Sequence, residues 1–127
     1  MRVILDANAL MMPAQFKIDL FGEIQELVGS FEPVVLRSVV QELDGLARAK
    51  GREGAAARFG LALARNCTIT DGDGASAVPV DEQVIAYATQ HDCMVVTNDR
   101  RVRDALLARG IGVISMRKQK KLEVLRK

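Results

Sequence analysis

The chain alternates short apolar segments with segments of helical periodicity, and this alternation limits the folds that it can adopt. Five short runs are predicted to be strands, because they are apolar and rich in β-branched residues: residues 2–6, 32–36, 67–70, 93–97 and 111–115. Strands that are apolar on both faces are typical of a parallel sheet covered by helices on each side. The 127 residues therefore predict one α/β domain with a central parallel sheet of about five strands.

Apolar spacing and capping signals predict the helices between these strands. One amphipathic helix ending at Gly29 is predicted by apolar residues three and four apart, namely Phe16, Leu20, Ile24, Leu27 and Val28. Ser38 followed by Gln41 has the spacing of a capping box, which predicts a helix start at Ser38. We expect further helices over residues 52–65, after an N-cap at Asp81, and over residues 99–109 before Gly110. Residues 71–77 have the composition of a loop.

Composition excludes several classes of protein. The apolar runs are far shorter than the ~20 residues needed to span a bilayer, and Asp6 interrupts the first run, which a secretory signal would keep uncharged. Cys67 and Cys93 lie in separate strand segments without metal-ligand spacing, so we interpret them as reduced thiols. We therefore expect a cytoplasmic protein without a membrane segment. We interpret the single His91, near a helix end, as a structural residue rather than a zinc ligand.

Charge is distributed unevenly along the chain. Residues 1–99 contain eight Lys and Arg against fourteen Asp and Glu, whereas residues 100–127 contain ten against two. The net charge of +2 therefore combines an acidic part of −6 with a basic end of +8. Such a split suggests a polyanionic partner, although a solvated helix followed by a basic tail explains it equally well.

Four acidic residues lie close to the predicted strand ends. Asp6 closes the first strand and Asp99 follows the fourth, while Glu42 lies one turn into the helix after the second strand. Asp81 begins the helix that precedes the fourth strand. Open parallel sheets bind ligands beyond the carboxyl ends of their strands, so three or four of these carboxylates could share one edge. Taken singly, the three aspartates could instead cap helices, and Glu42 could be a solvated helix residue.

A shared carboxylate edge needs a cation. Two carboxylates ~4 Å apart repel by about 4 kcal/mol at an effective dielectric constant of roughly 20. An all-oxygen donor set selects Mg²⁺ or Mn²⁺ over zinc or copper. The sequence has no dinucleotide-binding or P-loop signature and no GxSxG motif, so it lacks the usual signs of these alternative α/β enzymes.

The segments around the four acids resemble the acidic motifs of the PIN-domain nucleases. They are VILDANAL around Asp6, VVQELDGL around Glu42, VDEQVIAYA around Asp81 and VVTNDRRV around Asp99, in the family's order and over essentially the whole chain. Within this family, residues 113–125, VISMRKQKKLEVL, are similar to short archaeal relatives of the eukaryotic small-subunit rRNA-processing PIN proteins, more than to the VapC-type toxins.

The resemblance implies a three-layer α/β/α Rossmann-like PIN domain with Mg²⁺- or Mn²⁺-dependent endoribonuclease activity, acting in rRNA processing. The implied catalytic and metal-binding residues are Asp6, Glu42, Asp81 and Asp99. Glu82 is an alternative to Asp81 in the third motif. Asn8 would hold the loop of the first acid, and Thr97 and Asn98 would orient the fourth, although turn stabilisation explains these three residues equally well.

The basic end of the chain is predicted to contact RNA. The residues expected to contact backbone phosphates are Arg100, Arg101 and Arg103 after the fourth acid, and Lys118, Lys120 and Lys121 in the tail. We expect a PIN domain over residues 1–116 and a basic tail over residues 117–127 that packs on the domain or extends from it. The expected partners are an rRNA precursor, assembly proteins or an antitoxin, and a second copy of the chain, because the resemblance implies a homodimer.

Other functions remain open at this level. The fold and site could serve a non-catalytic RNA-binding factor in ribosome assembly. A VapC-type toxin would share the chemistry but take an antitoxin as its partner. A phospho-receiver module also places Asp at strand ends, but this chain lacks the paired acids that such a module has after its first strand.

Overall fold

Strands and helices alternate along the chain in the computed structural model, which describes residues 1–72 and 78–126. The strands in these ranges are β1 (Arg2–Leu5), β2 (Glu32–Leu36), β3 (Thr68–Thr70), β4 (Met94–Val96), β5 (Val113–Arg117) and β6 (Lys121–Leu125). The helices are α1 (Ala7–Phe16), α2 (Leu20–Val28), α3 (Arg37–Leu46), α4 (Gly51–Ala64), α5 (Val80–His91) and α6 (Arg100–Ala108). The predicted loop over residues 71–77 lies largely outside the described residues.

The strands form one mixed sheet in the order β3-β2-β1-β4-β5-β6, in which the first five are parallel. The chain moves outward from β1 to β3, then returns past β1 to β4. Because parallel crossovers are right-handed, this reversal puts the helices before and after it on opposite faces of the sheet. Accordingly α4 packs against α1 and α3, and α5 packs against α6. The predicted α/β/α architecture is confirmed.

The central strands explain the apolar runs of the sequence. Val3, Ile4 and Leu5 of β1 and Val95 and Val96 of β4 have no solvent exposure. Helices cover both faces, so successive side chains are buried whichever way they point. Each buried Val, Leu or Ile contributes about 1.5–3 kcal/mol relative to an exposed one. None of the helices in the described ranges is long and apolar enough to cross a membrane.

The helix predicted to end at Gly29 is in fact two helices. α1 ends after Phe16, where Lys17 adopts the left-handed conformation with a φ of 57°. The side chain of Asp19 then caps α2 by accepting a hydrogen bond from the Gly22 backbone N–H at 3.2 Å. Apolar spacing continues through the break because both helices cover the same core, so periodicity alone does not reveal the interruption.

Two predicted helix starts are wrong. α3 begins at Arg37 after Leu36, and no side chain caps it. The Ser38 hydroxyl is buried without a hydrogen-bond partner among the described residues, so Ser38 and Gln41 form no capping box. α5 begins at Val80 after Pro79, which leaves Asp81 within the first turn instead of at the cap.

The basic tail contains a strand that the sequence analysis did not predict. β6 pairs antiparallel with β5, from Val113 opposite Leu125 to Arg117 opposite Lys121. The backbone N–H of Leu122 also donates a hydrogen bond to Glu23 Oε1 of α2 at 2.9 Å. The described part of residues 117–127 is therefore joined to the sheet. Its alternation of apolar and charged residues is short, and the surrounding lysines obscure it.

Candidate active site at the carboxyl edge of the sheet

The carboxyl ends of the parallel strands form one edge of the sheet, which we call the carboxyl edge; it carries Asp6, Glu42, Asp81 and Asp99. Asp6 follows β1, and its side chain caps α1 by accepting a hydrogen bond from the Ala9 backbone N–H at 2.8 Å. Asp6 is only 7% exposed. A carboxylate is therefore held among apolar residues at the centre of the sheet, where burial disfavours its charge.

The pKa of Asp6 reports which acids are its neighbours. Burial, with a smaller contribution from the charges of Asp81 and Asp99, raises this pKa from 3.8 to about 7. Hydrogen bonds from the Thr97 side chain and the Ala9 backbone act in the opposite direction without offsetting the rise. Two of the predicted metal ligands, Asp81 and Asp99, therefore lie within electrostatic reach of a third, Asp6.

Glu42 joins this group through Asp81. It lies on the exposed side of α3, where neighbouring protein atoms still displace part of its water, and this desolvation raises its pKa. The charge of Asp81 raises the pKa of Glu42 as well. Asp81 is thus the acid of the third motif whose charge reaches the other members. Glu82 lines a cavity of about 660 Å³ between α5 and α6.

Asp81 is paired with a cation of this chain. Its Oδ2 lies 3.4 Å from a guanidinium nitrogen of Arg101, one of the residues predicted to contact RNA. Arg101 lies in the first turn of α6, two residues after the cap residue Asp99. This pair was not predicted from the sequence, although the two adjacent arginines after Asp99 are a signal that a cation lies close to the acids.

Asp99 is both a helix cap and a member of the acidic group. Its Oδ1 accepts hydrogen bonds from the backbone N–H groups of Arg101 at 2.9 Å and Val102 at 3.2 Å. The capping interpretation that was left open for Asp6 and Asp99 is therefore correct for both residues. Capping also fixes their orientation, because the start of a helix holds each carboxylate at the edge.

Thr97 and Asn98 connect the acids to the sheet. The side chain of Thr97, which has no solvent exposure, is hydrogen-bonded to Asp6, and its hydroxyl oxygen accepts a bond from the Asp99 backbone N–H at 3.1 Å. Asn98 Oδ1 accepts bonds from the Met116 backbone N–H at 2.8 Å and from the Ser115 hydroxyl at 3.1 Å. Ser115 was not identified from the sequence as a site residue, although a serine ending an apolar strand is a signal for it.

Asn8 lies apart from these contacts. It is exposed in the first turn of α1, and its side chain makes no hydrogen bond within residues 1–72 and 78–126. It lines a cavity of about 1160 Å³ together with Phe16 of α1 and Phe59 of α4. The proposed link from Asn8 to the loop of the first acid is thus not made by a side-chain hydrogen bond in this structure.

The donor chemistry of the edge fits a hard cation, because all four acids offer only oxygen. Their present positions are less favourable. In the described ranges, no three Asp, Glu, His or Cys side chains converge closely enough to hold one ion. The four acids thus lie at one edge of the sheet and interact electrostatically, but they do not surround a single ion position.

The remaining predicted RNA contacts flank this edge. Arg100 is exposed at the start of α6. The Nε atom of Arg103 lies 3.2 Å from Asp104 Oδ1, so this guanidinium is paired with a neighbouring acid. The three lysines are exposed at the turn between β5 and β6: Lys118, Lys120 and Lys121. β5 is parallel to β4, so this turn is at the same end of the sheet as Asp99.

Comparisons with known proteins agree with this arrangement. A family model described as a PIN like domain matches residues 3–119. Two curated relatives, Ribonuclease VapC4 of Methanocaldococcus jannaschii and Ribonuclease VapC9 of Archaeoglobus fulgidus, are each 29% identical to this chain. The first match covers 97% of this chain and 95% of the relative, and the second covers 95% and 87%.

Solved structures give the same result for the fold. The PIN domain endonuclease Utp24 superposes with a TM-score of 0.79 and 26% identity, covering 99% of this chain and 92% of that one. A domain of a functionally unknown protein from Methanocaldococcus jannaschii superposes with a TM-score of 0.67 and 15% identity over 99% of both chains, which supports the fold alone. Because the family model matches nearly the whole chain, this protein belongs to the PIN-like domain family.

Proposed function

We propose that this chain is an endoribonuclease that hydrolyses RNA phosphodiester bonds with Mg²⁺ or Mn²⁺ at the carboxyl edge. The observation that carries the proposal is the grouping of Asp6, Asp81 and Asp99: the charges of Asp81 and Asp99 both act on the buried Asp6. Family membership supports nuclease activity. The names of the relatives, two ribonucleases and an endonuclease, support RNA as the substrate.

The metal ligands would be the four carboxylates. When bound, the metal would lower the pKa of a coordinated water and offset the charge on the phosphoryl and leaving oxygens. The present partner of Asp81 is Arg101, so Asp81 is the acid that would have to exchange a protein cation for a metal. A cation is needed because the carboxylates alone would repel an RNA strand.

Other residues would orient the acids and hold the substrate. Thr97 contacts both Asp6 and the backbone of Asp99, so it would keep these two acids in a fixed relation. The exposed cations flanking the edge, Arg100 and the three lysines of the β5–β6 turn, would contact backbone phosphates on either side of the cleaved bond.

The direct test neutralises the predicted metal-binding acids one at a time and compares each variant with the same kind of substitution at an acid outside the site. We expect Asp6→Asn, Asp81→Asn and Asp99→Asn to reduce Mn²⁺-dependent cleavage of a mixed RNA substrate by more than about 100-fold, since even outer-shell partners of metal ligands contribute ~10- to 100-fold. Glu82→Gln, next to Asp81, and Asp44→Asn, on the surface of α3, should keep nearly full activity. Equal cleavage by the Asp6, Asp99 and control variants would contradict the proposed mechanism.

For the biological substrate we propose an rRNA precursor, as the resemblance of residues 113–125 implies. We also propose that the protein acts in the cytoplasm, as its composition predicts, and as a homodimer, as the general resemblance to PIN-domain nucleases implies. The VapC names of two relatives favour a second candidate, a toxin ribonuclease held by an antitoxin. Growth arrest on expression, relieved by a protein encoded beside this gene, would favour the toxin. Accumulation of uncut rRNA precursor after deletion of the gene would favour processing.

A non-catalytic RNA-binding factor is a candidate from another class. It is favoured by the acids of the described ranges, which do not converge on one ion in their present positions. A binding factor should bind RNA equally well after Asp6→Asn and Asp99→Asn, and the unmodified protein should leave RNA uncut in Mn²⁺. Cleavage that requires these acids would exclude it.

A further inference from the structure

The turn between β5 and β6 extends the sheet beyond the point where α6 begins. Val96 of β4 is in register with Ile114 of β5. Following both chains for three more residues puts Asp99 level with Arg117, because parallel strands rise by the same distance per residue. The next residues form the turn: Lys118, Gln119 and Lys120. The turn therefore projects past the carboxyl edge, on the side of Asp99.

This turn is fixed to the rest of the molecule on both of its strands. On β5, the backbone N–H of Met116 and the hydroxyl of Ser115 both donate to Asn98 Oδ1, at 2.8 and 3.1 Å. On β6, the Leu122 backbone N–H donates to Glu23 Oε1 at 2.9 Å. Asn98 immediately precedes Asp99, so its two hydrogen bonds join the turn to the segment that carries an acid of the site.

The turn has cations where its backbone favours other residues. Lys118 and Gln119 have φ angles of 56° and 58°. Gly and Asn are preferred at left-handed positions, because other side chains are strained there. Four residues of the turn and its flanks are exposed and make no ion pair with the described residues: Arg117, Lys118, Lys120 and Lys121. A strained position occupied by an unpaired cation suggests that the cation has a function.

We propose that Asn98 is a positioning residue, which fixes the β5–β6 turn and its phosphate-binding lysines relative to Asp99. The inference rests on the proposed ribonuclease function and adds how the lysines already proposed to contact phosphates are held in place. The lysines would bind phosphates of the strand whose cleaved bond lies at the carboxyl edge. The hydrogen bonds of Asn98 would set the spacing between the bound phosphates and the acids.

The first experiment measures binding of a labelled oligouridine to the full chain in EDTA, by fluorescence anisotropy over a series of KCl concentrations. Changing Lys118, Lys120 and Lys121 to Gln should weaken binding about 100-fold at 0.1 M salt and lower the salt slope by about 2, because each contact to a single strand contributes about 0.7 to the slope. The control removes equal charge from α4 and its flanks, by changing Lys50, Arg52 and Arg65 to Gln. Equal losses in the two triple variants would overturn the proposal.

A second variant tests the charge of Lys118 separately from the strain of the left-handed backbone at residues 118 and 119. Replacing Lys118-Gln119 with Asn-Gly should raise the thermal unfolding midpoint, because Asn and Gly tolerate the left-handed backbone of these two positions better. It should also weaken oligouridine binding about fivefold at 0.1 M salt, through the loss of one phosphate contact. Unchanged binding in a stabilised variant would show that Lys118 does not touch phosphate.

The third experiment tests Asn98. Asn98→Ala should accelerate hydrogen exchange of the Met116 amide and raise KM for RNA cleavage more than it lowers kcat, while Asn98→Asp, which keeps an acceptor oxygen, should keep that amide protected. Unchanged exchange and KM in Asn98→Ala would remove its positioning role. Failure of the ribonuclease proposal is distinguishable, because the unmodified protein would then leave RNA uncut in Mn²⁺ while the lysine-dependent binding persisted.

Discussion

Charged side chains are arranged differently at the two ends of the sheet. At the amino ends of the strands, Arg2 donates a hydrogen bond to the Tyr87 hydroxyl at 2.9 Å and lies 3.6 Å from Glu32. Glu32 also accepts a bond from the Thr68 hydroxyl at 2.7 Å. The Tyr87 ring stacks on His91 with centroids 4.1 Å apart. Arg2 and Glu32 thus each have a partner of the opposite sign and a hydrogen-bonding hydroxyl group.

At the carboxyl edge, the charges of Asp81 and Asp99 help to raise the pKa of Asp6, and the charge of Asp81 helps to raise that of Glu42. Among the described residues, Arg101 is the one guanidinium paired with any of these four acids. Asp81 has Arg101, whereas the buried Asp6 has neighbours of its own sign. One end of the sheet is thus arranged for stability, and the other keeps an unfavourable charge distribution. Proteins retain such arrangements where function needs them, so the contrast supports the proposal that the active site lies at the carboxyl edge.

Of the substitutions that test the difference between the two ends, Asp6→Asn should have the largest effect on stability. The pKa of Asp6 is about 7 in the folded protein and 3.8 in an unfolded chain, so the folded state binds the proton more tightly. The free energy of unfolding therefore includes a favourable contribution from Asp6 below about pH 4. This contribution is lost as pH rises through about 7. The loss amounts to about 4 kcal/mol at 1.36 kcal/mol per pKa unit. In EDTA, the variant should therefore be more stable than the unmodified protein above pH 7 and lack this decline. Urea unfolding at several pH values measures both effects, and parallel pH profiles for the two proteins would contradict the assignment.

A smaller effect is expected from Arg101→Gln. Removing the guanidinium leaves Asp81 without its cation, and this exposed ion pair should contribute at most about 1 kcal/mol to stability in EDTA. Stabilisation by Mn²⁺ should increase, because the metal no longer competes with Arg101 for Asp81. Thermal unfolding with and without Mn²⁺ measures the difference. Arg100→Gln is the matched control, and an equal response of both variants would mean that Arg101 does not compete.

The smallest effect is expected at the opposite end, from Glu32→Gln. The side chains of Arg2 and Glu32 are 38% and 49% exposed, and Gln keeps an oxygen for Thr68, so the loss should be about 0.5 kcal/mol. RNA cleavage should not change, because this end does not touch the carboxyl edge. Urea unfolding and a cleavage assay on the same sample test both statements. A large loss of cleavage would mean that the two ends are coupled.

The sequence was sufficient for the features that depend on burial. Apolar runs such as Val3-Ile4-Leu5 predicted the parallel strands, because covering both faces of a sheet demands them. The acids at strand ends could be placed on one edge for the same reason, since the ends of parallel strands lie together. The motif around Asp81 was placed correctly at a helix start, although Pro79 rather than Asp81 is the cap residue.

Features that depend on local backbone choices were less accessible. The left-handed Lys17 that separates α1 from α2 has no residue-type signal, because Gly or Asn would be expected there. β6 was not predicted because two tertiary contacts stabilise it. It pairs with β5, and its Leu122 backbone N–H donates to Glu23, which is distant in the sequence. The pair of Asp81 and Arg101 likewise joins residues that only the folded chain brings together.

The hydrogen bond from Leu122 to Glu23 has a consequence for self-association. Outer strands expose backbone N–H groups that can pair with a strand of another molecule and start aggregation. The carboxylate of Glu23 occupies one such donor on the outer side of β6. A helix on one face thus occupies the outward N–H of Leu122, so this position of the edge strand is not available to pair with a strand of another molecule.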